Sequence, residues 1–164
     1  MKTLTILRHG KSSWKQEGQP DFERPLSRRG EENAPLMAQR ITEAGIRPSL
    51  IVSSPAVRAW STAKLVARAI GYPLEFLHRE DALYMAGLER LLDVIAAQDP
   101  GFNSIVVVGH NPGLTELANH LLPGVTDNLP TCGLVALAID TDDWDLRTPK
   151  PVELLLHDYP KRPL

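Results

Sequence analysis

Cysteine is nearly absent from this 164-residue chain, in which Cys132 stands alone. A single thiol cannot form an internal disulfide, and it supplies no thiolate cluster for a structural metal. The residues therefore predict neither a disulfide framework nor a metal site. A reducing, cytoplasmic setting suits such a composition best.

Long apolar runs and an excess of one charge are also missing. The N-terminal apolar stretch stops at Arg8 and His9, and no stretch reaches the roughly 20 apolar residues of a membrane span. The formal net charge of −2 offers no general attraction for nucleic acid or anionic lipid. We therefore expect neither nucleic acid nor membrane among the partners.

What is present is an ordinary globular composition. Hydrophobic residues make up 43% and charged residues 23%, which argues against disorder and fibrous architecture. A chain of this size can bury roughly two-thirds of the surface that it exposes when unfolded, which is enough for one core. We expect a single domain over residues 1–164, with no repeat or linker.

Apolar segments alternate between strand and helix patterns along the chain. The prediction is strands at 2–7, 50–53, 74–77, 104–108, 134–139 and 152–156, and helices at 27–44, 55–70, 88–97 and 112–121. Pro35 lies inside the first helix and predicts a kink or two short helices. The alternation predicts an α/β fold of three layers, α/β/α, with a mainly parallel sheet and an antiparallel edge formed by the last two strands.

Three polar segments each follow a predicted strand: Arg8-His9-Gly10, Ser53-Ser54-Pro55 with Arg58, and Gly109-His110-Asn111-Pro112. Ligands in open α/β sheets bind beyond the carboxyl ends of the strands, so the three segments can converge. Paired arginines match phosphate oxygens, and the helix N-termini that follow add N–H donors. The expected ligand is a phosphoryl group, and no cofactor is needed to hold it.

The RHG, SSPAVRAWST and GHNP segments resemble those of the histidine phosphatase superfamily, also called phosphoglycerate-mutase-like, in order and spacing over nearly the whole chain. The short length and the PDFERPLSRRG and DALYMAG segments are most similar to its SixA-type phosphohistidine phosphatase branch. Lys11 and Lys15 stand where mutase members typically carry Glu and Asn, which favours a phosphatase over a mutase.

The resemblance implies a metal-independent phosphatase with His9 as the nucleophile. It implies that Arg8 and Arg58 bind the phosphoryl group and that His110 is a second histidine of the same pocket. In this scheme a neutral imidazole of His9 attacks phosphorus in line, guanidinium groups and a protonated His110 neutralise the oxygens, and water then hydrolyses the phosphoenzyme. Asn111 is a further expected substrate-binding residue.

Other site residues are less closely specified by the motifs. Ser12 is expected to contact substrate. The family usually supplies a carboxylic acid that protonates the leaving group, and Asp81 is the best placement, with Glu80 and Asp21 as rivals. A cluster of arginines, at 24, 28 and 29, suits a solvated helix start better than a contact with an acidic substrate.

Three functions remain open on the sequence. The first is a phosphohistidine phosphatase that acts on a phosphorylated protein, because the short chain leaves little room for a lid over a small substrate. The second is a small-molecule phosphomonoesterase. The third, which is not an enzyme, is a phosphate-binding regulatory module. The physiological substrate and the oligomeric state stay open.

Overall fold

Six strands form one mixed sheet in the computed structural model, which describes residues 1–161. They are β1 (Lys2–Arg8), β2 (Leu50–Ser53), β3 (His78–Arg79), β4 (Ser104–Gly109), β5 (Leu134–Ile139) and β6 (Val152–Asp158). Their spatial order is β3-β2-β4-β1-β5-β6. The first four in this order pair in parallel, whereas β5 runs antiparallel to β1, and β6 to β5. The predicted antiparallel edge is confirmed.

Helices cover both faces of the sheet. Helices α1 (Arg28–Glu43) and α2 (Val57–Ile70) lie on one face, and α3 (Leu88–Ala96) and α4 (Gly113–Leu121) on the other. Side chains alternate along each strand. In β1, for example, Leu4 and Ile6 join the core under α3 and α4, and Leu7 joins the core under α1 and α2. The predicted three-layer α/β fold of one domain is confirmed.

The structure corrects two predicted elements. Residues 74–77 are not a strand, because Leu74–Phe76 form a 3₁₀ turn closed by the hydrogen bond from Phe76 N to Pro73 O, and the strand begins only at His78. Pro35 does not divide α1, which is continuous from Arg28 to Glu43. Pro35 lies on the exposed side of the helix, and the one helical hydrogen bond that it cannot donate does not end the helix.

The helix starts near the site also differ slightly from the prediction. Helix α2 begins at Val57 with Ala56 as its N-cap, so Pro55 precedes the helix, and Pro112 is the N-cap of α4. Within residues 1–161, no helix combines the length and the apolar character needed to cross a membrane.

Candidate active site

The parallel strands bring the three polar segments to one edge of the sheet. Arg8 ends β1, His9 follows it directly, and His110 follows the end of β4. The backbone N–H of His9 donates to Gly109 O, and the N–H of Cys132 donates to His9 O. The main chain at His9 is therefore fixed on both sides by its neighbours. The ring centroids of His9 and His110 lie 5.3 Å apart.

His9 is a neutral imidazole with one defined tautomer. Its Nδ1 lies 2.7 Å from Gly10 O, which can only accept, so Nδ1 carries the proton. Its Nε2 faces the Nε–H of Arg58 at 3.4 Å and therefore carries the lone pair. Burial, followed by the charges of Arg58 and Arg8, lowers the pKa of His9 from 6.5 to about 4, although the Gly10 hydrogen bond acts in the opposite direction.

Arg58 connects the two histidines from the first turn of α2. Only 4% of this residue is exposed. Its Nη2 faces His110 Nδ1 at 3.5 Å, on the same side as its contact with His9. Thr62, one turn further along α2, accepts from Gly10 N and donates to Arg58 O, so it fastens the loop after His9 to the helix. Arg58 is thus a fixed positive charge between two neutral rings.

His110 is also neutral in this arrangement, whereas the protonated form expected from the sequence belongs to the reaction, in which the ring would face the phosphoryl oxygens. Burial lowers its pKa to about 3, with further lowering by His9 and by the Arg58 charge. Because Arg58 can only donate to Nδ1, the proton of the ring lies on Nε2, 2.7 Å from Ser54 Oγ. Ser54 is fully buried and also accepts from Ala56 N, which ties the ring to the start of α2.

Arg8 presents an unsatisfied donor. Its Nη1 donates to Leu129 O at 2.9 Å, but its Nε is buried without a hydrogen-bond partner among the described residues. Burial and the neighbouring Arg58 lower the pKa of Arg8 from its usual value. A buried unpaired N–H costs free energy, which an anionic oxygen placed beside it would recover.

The three candidate acids occupy different places. Asp21 Oδ2 accepts from Arg58 Nη2 at 2.9 Å and from the Tyr84 hydroxyl at 2.6 Å. The Tyr84 bond, followed by Arg58, holds the pKa of Asp21 at about 2. Asp81 is exposed at the start of a 3₁₀ turn, and Glu80 caps that turn by accepting from Ala82 N. Neither Asp81 nor Glu80 lines the cavity described next.

A cavity of about 670 Å³ opens around these groups. Its described lining contains no Asp or Glu, and its cationic lining residues are Arg8, Lys11, Arg24, Arg29, Arg58 and Lys161. Trp14 adds an exposed aromatic face to the wall, and the Arg24 guanidinium lies over its ring. Within residues 1–161, no three His, Cys, Asp or Glu side chains are grouped so that they could hold a metal ion.

Asn111 and Ser12 both line this cavity. The Asn111 amide group donates to Asn128 Oδ1 and Leu129 O, and its oxygen accepts from Thr115. Its polar atoms therefore hold the neighbouring loop. Ser12 Oγ accepts a short hydrogen bond from Arg24 Nη2.

Sequence reasoning set Arg24 aside as part of a solvated helix start, which is wrong because Arg24 is buried and precedes α1, and it did not place Thr62 in the site. Arg24 is buried in the cavity wall and donates to Asp21 Oδ1 at 3.2 Å. No motif marked it, because its contacts come from a loop without periodicity. Thr62 could have been found, because it stands four residues after Arg58 and so shares its helix face.

Residues 4–81 match the family model described as histidine phosphatase superfamily, branch 1. An uncharacterized chloroplastic protein of Arabidopsis thaliana is 32% identical over 152 residues, covering 88% of this chain and 69% of that protein. A Serratia proteamaculans protein assigned as phosphoglycerate mutase GpmB is 32% identical over 118 residues, 69% of this chain and 53% of that protein. The crystal structure of an Agrobacterium tumefaciens protein assigned as the phosphohistidine phosphatase SixA superposes with a TM-score of 0.80 at 30% identity, covering 97% of this chain and 98% of that one.

Proposed function

Because the chain belongs to the histidine phosphatase superfamily, we propose that it is a metal-independent phosphatase that transfers the phosphoryl group of a phosphohistidine protein to His9 and then to water. The observation that carries the proposal is the state of His9. A neutral imidazole whose Nε2 lone pair faces the Arg58 guanidinium is the nucleophile that this chemistry needs. The lone, buried Cys132 suits a reducing compartment, and we expect the protein to act in the cytoplasm.

The surrounding charges support phosphoryl transfer. The unpaired Arg8 Nε and the fixed Arg58 guanidinium offer donors to the equatorial oxygens of a phosphoryl group attacked by His9. A phosphoryl dianion beside His110 would raise the pKa of that ring and favour its protonated form. Ser54 would then still accept from Nε2, while Nδ1 would donate to the phosphoryl group.

The candidate acids favour a phosphohistidine over an alkyl ester. Asp21 has a pKa of about 2 and is ionised at neutral pH, and Asp81 and Glu80 lie outside the cavity lining. An alkyl alcohol leaves poorly without a proton. A phosphohistidine that is protonated on its other ring nitrogen leaves as a neutral imidazole, whose conjugate acid has a reference pKa of about 6.5, so it needs no acid from the protein. The assignment of the related Agrobacterium protein as a phosphohistidine phosphatase points to the same substrate.

The proposed reaction has two steps. In the first, His9 Nε2 forms a bond to phosphorus while the phosphorus–nitrogen bond of the substrate breaks, and the substrate ring, protonated on its other nitrogen, leaves as a neutral imidazole. In the second, water attacks phosphorus, the bond to His9 breaks, and inorganic phosphate leaves. His9 returns to its neutral state with the Nδ1 proton still bonded to Gly10 O.

The covalent intermediate is the first testable prediction. Brief incubation with a substrate labelled in the phosphoryl group, followed by quenching, is expected to trap a phosphoenzyme that is stable to alkali and labile to acid. His9→Ala should abolish both the label and turnover, because it removes the nucleophile. His78→Ala is the matched control, because His78 is an exposed histidine remote from the cavity lining.

Two results would contradict this assignment. Label and turnover that survive in His9→Ala would move the nucleophile elsewhere. A wild-type protein that binds phosphate but shows neither label nor turnover would be the regulatory module left open by the sequence.

A small phosphate ester is the second candidate substrate. The cavity volume of about 670 Å³ lies in the range of sites for small organic ligands, which favours this possibility. The two candidates separate when the same preparation is assayed on a phosphohistidine peptide and on alkyl phosphates. Efficient hydrolysis of alkyl phosphates without hydrolysis of the peptide would show that the substrate is a small phosphate ester and not a phosphorylated protein.

A further inference from the structure

One side of the cavity carries positive charge beyond the pocket that holds the reacting phosphoryl group. This cationic wall consists of Lys11, Arg24 and Arg29. Lys11 lies on the loop that follows His9, and Arg29 belongs to the first turn of α1. The whole chain has a net charge of −2, so the wall is a local concentration of charge rather than part of a basic surface.

Two cations of the wall have no anionic partner. Arg24 is held by Asp21 and Ser12, but within residues 1–161 neither Lys11 nor Arg29 makes a side-chain hydrogen bond or an ion pair. The neighbouring Arg28 differs, because its Nε pairs with Glu32 at 3.2 Å and it does not line the cavity. Two adjacent arginines of one helix therefore face different surroundings, and only Arg29 lines the cavity.

The space beside the wall is larger than a phosphoryl group requires. A phosphoryl group has four heavy atoms around phosphorus, whereas the cavity of about 670 Å³ could hold a drug-sized ligand. A substrate that fills the cavity must therefore place further atoms beside Lys11 and Arg29. Anionic atoms would gain the most there, because the described lining contains no carboxylate to compete.

We propose that Lys11 and Arg29 form a second anion subsite, which binds an acidic side chain next to the phosphohistidine of the protein substrate. This subsite rests on the proposed function, and it specifies that acidic residues flank the phosphohistidine in the preferred protein substrate. Both cations are exposed, which suits a singly charged, partly hydrated carboxylate rather than a second phosphate enclosed by buried donors. Trp14, which is 77% exposed on the same wall, offers an apolar contact to the rest of a protein surface.

The test compares two phosphohistidine peptides that differ only by Glu→Gln at the positions flanking the phosphohistidine. The wild-type protein should show a kcat/KM ratio of acidic to amide peptide of roughly threefold to tenfold, as expected for one or two screened ion pairs. Lys11→Gln and Arg29→Gln should each lower that ratio, and the double variant should bring it close to one. High salt should reduce the wild-type ratio in the same direction.

Arg28→Gln is the matched control and should keep the wild-type ratio, because it removes the same charge from the same turn outside the cavity. Using a ratio between two peptides cancels any loss of folded protein in the variants. Equal kcat/KM for both peptides in the wild type, or a ratio that Arg28→Gln lowers as much as Arg29→Gln does, would overturn the subsite.

A different result is expected if the proposed phosphohistidine phosphatase activity is itself wrong. If neither peptide is hydrolysed while an aryl phosphate is turned over, the phosphohistidine substrate is wrong and the acidic-peptide subsite falls with it. A second result would also overturn the proposal. If the two peptides are hydrolysed equally, but a small bisphosphate has a higher kcat/KM than its monophosphate only when Arg29 is present, the subsite binds a small molecule and not an acidic side chain.

Discussion

The side chains around His9 set its protonation state. Burial and the charges of Arg58 and Arg8 lower the pKa of His9, and Arg58 faces its Nε2. Under the proposed function the same two arginines bind the phosphoryl group, so they both keep the Nε2 lone pair available and hold the substrate. Replacing either arginine would then alter binding and protonation together.

The pH dependence of activity follows from this lowered pKa. Protonation removes the Nε2 lone pair, so activity falls as pH decreases through the pKa of the free enzyme, and the value of about 4 places that fall well below the ordinary 6.5. We expect kcat/KM for an aryl phosphate, corrected for ionisation of the substrate, to stay nearly constant from about pH 8 to about pH 5 and to decline below. Circular dichroism on the same samples checks folding at each pH. An acidic limb centred near 6.5 would show that His9 is not buried as described.

Asp81 allows the leaving-group argument to be tested directly. Asp81→Asn is expected to change the rate on a phosphohistidine peptide only slightly, because imidazole needs little protonation and Asp81 lies outside the cavity lining. Glu89→Gln, which removes an exposed carboxylate outside the cavity lining, serves as the matched control. A loss of the ~10²–10⁴-fold size of a missing general acid on the peptide would contradict the argument. The same loss on an alkyl phosphate alone would assign Asp81 as the acid for esters.

At the scale of elements, the close contact between α1 and the loop after β1 positions the cavity wall. Gly30, in the first turn of α1, lies directly against the backbone of Lys11. Ser27 caps the same turn by accepting from Gly30 N, and its own N–H donates to Lys11 O. A Cβ at position 30 would collide with Lys11 O, so only glycine lets the helix approach this near.

Gly30→Ala should therefore destabilise the protein although alanine favours helices. The gain in helix propensity is about 0.5–1 kcal/mol, whereas displacing a packed backbone typically costs about 1–3 kcal/mol. We expect a lower urea midpoint with an unchanged slope. Gly87→Ala is the control, because a Cβ there meets open space and its φ of −84° is ordinary. Equal midpoints for wild type and Gly30→Ala would mean that the contact is looser than described.

Element positions were largely predictable where a segment is continuous and apolar. Residues 104–108 are an example, because they read as a buried strand and form the core of β4 between two parallel neighbours. The prediction was wrong at 74–77, where the apolar residues form a 3₁₀ turn after Pro73. A segment of four residues, of which Leu74, Phe76 and Leu77 are apolar, carries too little periodicity to distinguish a short strand from a turn.

The site was predictable only in part, for a similar reason. His9, Arg58 and His110 follow strands, so chain order and strand direction were enough to bring them together. Asp21 contacts Arg58 from a loop 37 residues away in sequence, and no local pattern announces such a contact. The neutral state of His110 also depends on burial and on neighbouring charge, which a sequence does not display.

At the scale of the whole molecule, positive charge is concentrated at one edge of a slightly acidic protein. The described lining of the cavity has six cationic residues and no Asp or Glu, and the nearby Asp21 carboxylate is already paired with Arg58 and Arg24. The excess of positive charge disfavours a divalent metal ion and favours a phosphoryl group. We therefore expect dialysis against a chelator to leave the phosphatase rate intact. Raising ionic strength should weaken substrate binding instead. A large loss with chelator that a divalent ion restores would contradict the mechanism.

His9 and the cationic wall come from structurally different parts of the chain. His9 is hydrogen-bonded through its backbone to Gly109 and Cys132 within the sheet framework, whereas Lys11 and Trp14 lie on the irregular loop that leads to α1. Under the proposed function, substitutions, insertions or exchanges in that loop would change the preference among phosphorylated substrates and leave the hydrogen bonds around His9 in place. Loops tolerate such sequence change better than strands do, so a new specificity could evolve here without any change in the sheet.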